Sequence, residues 1–173
     1  SLEELLKRIK ERSEETVKRL EDLLKRVRED IDRAIKELKK SLDDSRKTVE
    51  DIEREIKDED VLRRIRKLLE DDERLVREII KEVKKLLKDV EELVKEVIER
   101  DKKLLEEVER LVRKGLPEEK VKEIAEEVRR RSEKMLEELK KLVDEVRKRL
   151  EDLRKRNEDS TEEMKKRVEE EKR

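Results

Sequence analysis

With 62% of its 173 residues charged and only 31% apolar, the chain can bury a core only if its apolar residues follow a regular pattern. Lysine and arginine (53) balance aspartate and glutamate (54) to a net charge of −1, and there is no Phe, Tyr or Trp to stack a base, so no nucleic-acid binder is expected. The absence of His and Cys removes the usual zinc ligands and any redox dependence, and no apolar run is long enough to span a membrane.

The first element is a helix expected over residues 2–57. Ser1 followed by Glu4 is a capping-box pattern. Behind it the seam runs Leu2, Leu5, Ile9, Ser13, Thr16, Leu20 and onward to Ile56, in steps averaging about 3.6 residues, the period of a straight α-helix. Four of its positions carry hydroxyls (Ser13, Thr16, Ser41, Ser45), with Thr48 beside it.

At Asp58-Glu59-Asp60 the seam jumps from Ile56 to Val61, which a continuous helix would not do. Three acids also oppose the negative end of one helix dipole and suit the positive start of the next. A tight turn is expected there, with Asp58 or Asp60 as N-cap. The second helix, expected over 60–114, is the most apolar. Its stripe from Val61 to Val112 is interrupted only by Asp72 and Asp101, and flanking leucines and isoleucines widen it to an arc of roughly 140°. A carboxylate in the middle of that arc costs several kcal/mol unless it finds partners.

Gly115-Leu116-Pro117-Glu118-Glu119 gives the second break. The glycine suits a left-handed C′ position, Leu116 can pack back, and Pro117 suits the first helical position. The third helix is expected over 118–170, through Val121, Ile124, Val128, Ser132, Met135, Leu139, Val146, Leu150, Leu153, Asn157, Thr161, Met164 and Val168, fraying at its polar end.

The expected fold is therefore all-α: one domain over 1–173, an elongated, nearly straight up-down-up three-helix bundle of ~55-residue helices. Short turns fix which residues are level. Asp72 falls at the height of Ser45 and Ser160, with Ser41, Thr48, Asn157 and Thr161 within a turn; Asp101 falls at the height of Thr16 and Ser132, with Ser13 nearby. Apart from Ser1, every Ser, Thr and Asn belongs to one of these two neighbourhoods.

These residues are candidates for structure and not for catalysis. Acid–base or metal chemistry needs carboxylates a few ångströms apart, whereas Asp72 and Asp101 are separated by about 43 Å of one helix. The single glycine offers no phosphate loop, and the basic triplet Arg129–Arg131 reads as a solvated face. No catalytic, cofactor or metal site is expected, and no nucleic-acid, membrane or small-molecule partner. Each aspartate instead reads as the centre of a closed hydrogen-bond layer that penalises a slipped register, so that Ser45→Val alone would cost about 1–3 kcal/mol. The alternative is that the aspartates reach solvent past short serines. A closed monomer is expected, with Leu62, Leu69, Ile80, Leu87, Ile98 and Leu105 as the edge that a second copy or an added helix would use. No targeting signal opens the chain, so a soluble protein, cytosolic when expressed recombinantly, is expected.

The restricted alphabet, equal helix lengths, Gly115–Glu119 loop and layered Ser/Thr/Asn/Asp core resemble a computationally designed helical bundle with buried hydrogen-bond networks. The likeness is one of style over the whole chain. Natural spectrin-type repeats are similar in topology but typically carry a core tryptophan and glutamines, which are lacking here. The resemblance implies a stable scaffold with no native substrate, and designs of this style are often oligomeric.

Overall fold

The structure, a computed structural model, describes residues 1–173 except for the side chain of Lys172. It contains three helices, α1 (Leu2–Glu55), α2 (Glu59–Arg113) and α3 (Glu118–Lys172). Their interiors hold no Gly or Pro and are built mostly from Leu, Lys, Glu and Arg, which lose little rotamer freedom in a helix. What holds them is the apolar stripe: among the described residues no large hydrophobic side chain is exposed.

The helix ends are set by local chemistry. Ser1 Oγ accepts from the Glu4 N–H at 3.3 Å, and the Ser1 carbonyl accepts the first helical bond from Leu5. At the first turn the cap is Asp58 and not Asp60. Its carboxylate accepts from the Asp60 N–H at 3.0 Å, and its carbonyl receives the Leu62 N–H. At the second turn Gly115 has φ +87°, its N–H donates to the Val112 carbonyl, and the Leu116 N–H reaches the Leu111 carbonyl at 3.2 Å. That pair of bonds is a Schellman motif, satisfying carbonyls that the helix end leaves unpaired. Pro117 stands one position earlier than expected: its carbonyl accepts from Val121, which makes it the N-cap. α3 runs on to Lys172, two residues past the expected end.

Gly115→Ala is expected to cost about 1 kcal/mol. A Cβ there would meet nothing within 4 Å, so the loss comes from the left-handed backbone alone. Denaturant unfolding checks it; no loss would mean that the turn relaxes to another geometry.

The contacts group the chain into two compact units, Ser1–Arg28 with Lys88–Glu145 and Glu29–Leu87 with Val146–Arg173. Each unit takes a segment from all three helices. In the first, Ile9, Val108 and Val121 form a core against which Leu5, Leu105, Leu116 and Ile124 pack. In the second, Val49, Ile52, Ile65 and Val168 do so, with Ile56, Val61, Leu68 and Leu69 around them. Val143, 1% exposed, fills the gap that the α3 seam shows between Leu139 and Val146.

Ion pairs report the register within each unit. α1 and α2 are linked by Lys10–Glu109 and Arg28–Glu91 in the first unit and by Arg46–Glu73 and Arg66–Glu53 in the second. The two residue numbers add to the same value in all four pairs, as antiparallel helices at fixed register require. In Asp30–Arg147 and Glu37–Arg154 the numbers differ by a constant, as for the parallel pair α1 and α3. Exposed pairs of this kind contribute about 0–1 kcal/mol each, so they mark the register more than they hold it.

Candidate functional site

Among the described residues four polar side chains are buried: Ser45, Asp72 and Asn157 in the second unit and Asp101 in the first. All four lie on the seams, where the helical period turns them inward whatever their polarity.

In the second unit, Ser160 donates to Asp72 Oδ1 at 3.3 Å, joining α3 to α2. Ser45 on α1 stands close enough to the carboxylate to pull its pKa down but does not reach hydrogen-bond geometry, so Ser45 Oγ and Asp72 Oδ2 both lack partners. Burial outweighs both serines and pushes the Asp72 pKa above the ordinary carboxylate value, with the nearby charge of Glu73 adding to the rise. A second, separate contact set joins α1 to α3. Asn157 Nδ2 donates to Ser41 Oγ, and Ser41 and Thr161 share a hydroxyl–hydroxyl bond, both at 3.5 Å, while Asn157 Oδ1 has no partner. Thr48 takes no part in either set; its hydroxyl bonds the Asp44 carbonyl on its own helix at 2.9 Å. The expected closed layer is thus two partial ones with three orphaned oxygens. The contacts at 3.5 Å are at the long limit for a hydrogen bond, so they contribute little on their own.

In the first unit, Ser13 donates a short hydrogen bond to Asp101 Oδ2, joining α1 to α2. Thr16, expected at the height of Asp101, back-bonds to the Arg12 carbonyl at 2.9 Å. Ser132 makes no side-chain hydrogen bond among the described residues. Instead Ser13, Thr16, Ser132 and Asp101 line a cavity of about 560 Å³ that α1 and α3 flank. Its apolar walls include Leu5, Ile9, Leu105, Val108, Ala125, Val128 and Leu136. Its rim carries Arg8, Arg12, Glu15, Arg19, Lys122, Glu126, Arg129 and Glu133. The cavity is a consequence of volume: Ser13, Thr16, Ala125 and Ser132 stand at neighbouring heights where other seam positions carry Leu, Ile or Val. The sequence reading located the hydroxyls but missed Ala125 and the space itself. Adding side-chain volumes at one height across three helices is the signal that would reveal it.

The chain matches no protein-family model, and no curated protein or solved structure is significantly similar to it.

Other surfaces carry less chemistry. Arg129 pairs with Glu126 and Glu133, and Arg131 with Glu127, so the basic triplet is largely neutralised within its own helix. The hydrogen bond from Arg129 is also the main reason that the Glu126 pKa lies below its usual range. A shallow depression of about 450 Å³ in the second unit is lined by Leu75, Asp152, Lys155, Arg156, Asp159, Ser160 and Glu163, six of them polar or charged. Among the described residues no group of three or more His, Cys, Asp or Glu could hold a metal ion, and no helix is long and apolar enough to cross a membrane.

Proposed function

We propose that the chain is a structural scaffold, a designed three-helix bundle whose inward polar residues select the register of its helices and which has no substrate of its own. One observation carries this reading. The hydrogen bonds made by inward polar side chains between helices link all three helix pairs: Ser13–Asp101 for α1–α2, Ser160–Asp72 for α2–α3, and Asn157–Ser41–Thr161 for α3–α1. A uniform stripe of Leu, Val and Ile is nearly indifferent to a shift of one helical turn. A carboxylate is not, because the shift would place it against an aliphatic side chain. The restricted alphabet and the equal helix lengths support a designed origin.

The reading expects a monomer of 21.2 kDa at micromolar concentration, with no hydrolytic, redox or nucleotide-binding activity. Changing Asp72 to Leu together with Ser45 and Ser160 to Val should preserve helicity and stability but yield several species in sedimentation, because α2 then has no buried carboxylate in the second unit to oppose a shift. If the triple variant remains a single monomer with native ion-pair geometry, the polar residues do not select register. The alternative reading, a subunit of a helical assembly, would need the α2 edge. Of that edge, Leu62 is buried within the chain, while Leu69, Ile80, Leu87, Ile98 and Leu105 are half-buried. A dimer mass that disappears when several of these five are changed to Glu would favour it.

A further inference from the structure

We propose that the cavity of the first unit binds an organic ammonium ion, specifically an aliphatic primary amine whose head meets Asp101 and whose alkyl body lies against the apolar walls. The inference goes beyond the scaffold reading and does not depend on it. At about 560 Å³ the space lies within the ordinary range of small-molecule sites, and a few polar groups converge in a mostly aliphatic lining, as such sites require. Asp101 is 4% exposed yet lines the cavity. Its Oδ2 is taken by Ser13; its Oδ1 has no hydrogen bond among the described residues and is not one of the sealed orphan oxygens, so it is the atom left for an occupant. On the same lining, the Thr16 hydroxyl spends its proton on the Arg12 carbonyl and keeps lone pairs to accept with, and Ser132 has no side-chain hydrogen bond among the described residues. A carboxylate oxygen and two accepting hydroxyls match the three N–H donors of a primary ammonium.

The cations of the rim are paired or solvated and leave Asp101 as the charge within the cavity. At the rim, Arg19 is paired with Glu15, and Arg129 with Glu126 and Glu133. Arg8, Arg12 and Lys122 are exposed, so water screens them. The buried carboxylate has no ion-pair partner among the described residues, and an unpaired buried charge is costly. A divalent cation would need several more oxygen ligands than one carboxylate and its hydroxyl neighbours supply, and it would gain nothing from leucine walls.

The test is calorimetric titration of the full chain with hexylammonium chloride and, separately, with hexanol. The expected result is saturable binding of the amine, at least tenfold tighter than the alcohol, falling at least tenfold in Asp101→Asn while hexanol binding is unchanged. Because Asp101→Asn touches a buried residue, Ser132→Leu serves as a second variant; it fills the space from α3 without altering the Ser13–Asp101 bond and should abolish binding of both probes at unchanged helicity. The proposal is overturned if the amine does not bind saturably. It is equally overturned if amine and alcohol bind alike, or if amine binding survives either variant.

Discussion

Asp72→Asn is expected to stabilise the fold by about 1–3 kcal/mol at neutral pH. The native carboxylate is 3% exposed, has one donor in Ser160, and leaves Oδ2 facing a serine hydroxyl that also lacks a partner. An asparagine keeps an acceptor for Ser160, places an N–H₂ where the orphan oxygen stands, and so provides the donor that Ser45 Oγ can accept. It also removes a charge that nothing neutralises. The dependence on pH follows from the raised pKa of Asp72. Below the ordinary carboxylate value of 3.8 the side chain is protonated in both the folded and unfolded states, and its contribution to stability is complete. As pH rises from there through the raised folded value, the unfolded chain releases the proton first, so this contribution is lost. The native chain and Asp72→Asn should therefore be closest in stability at acidic pH and diverge across that window, every other acid being common to both. Urea unfolding over a pH series measures the difference. A variant that is less stable at neutral pH, or a difference that does not grow with pH, would show that water or a counter-ion already satisfies the carboxylate. Ser160→Ala, which removes the donor with hydrogen-bond geometry, should cost more than Ser45→Val, reversing the emphasis that the heights alone suggest.

The second large effect concerns the two cores. Ile65→Ala should cost about 3–5 kcal/mol, and Ile9→Ala about 2 kcal/mol or less. Ile65 is 0% exposed and enclosed by Val49, Ile52 and Val168, so truncation leaves a void that backbone and neighbours cannot collapse into without strain. Ile9 is 9% exposed and already lines the cavity of about 560 Å³. Shortening it enlarges a space that opens to the surface, so the loss is closer to the transfer term alone. Denaturant unfolding of the two variants decides the matter. Equal losses would mean that the first unit packs as tightly as the second in solution and that the cavity is closed.

Three helices, their stripes and their ends were legible because each depends on residues close in sequence. A 3.6-residue repeat turns Asp72 and Asp101 inward without reference to any other helix. Asp58 caps through an N–H two residues on, and Gly115 takes a backbone conformation that few other residues tolerate. Even the heights of Ser160 and Asp72 could be read, since short turns leave little freedom in register.

Which hydroxyl bonds which acceptor was decided by the tertiary structure. Thr16 and Thr48 always have a carbonyl four residues back within reach, and each uses it. Ser13 and Ser160 instead find a carboxylate on another helix, a choice fixed by side-chain direction and by small differences in the distance across the interface between helices. The same small differences leave Ser45 beside Asp72 without a bond. The cavity around Asp101 is likewise a property of three helices at once. Ser13, Ala125 and Ser132 are unremarkable on their own stripes, and the space appears only where their small volumes coincide, because helices held apart by leucines on either side cannot close over a few short side chains.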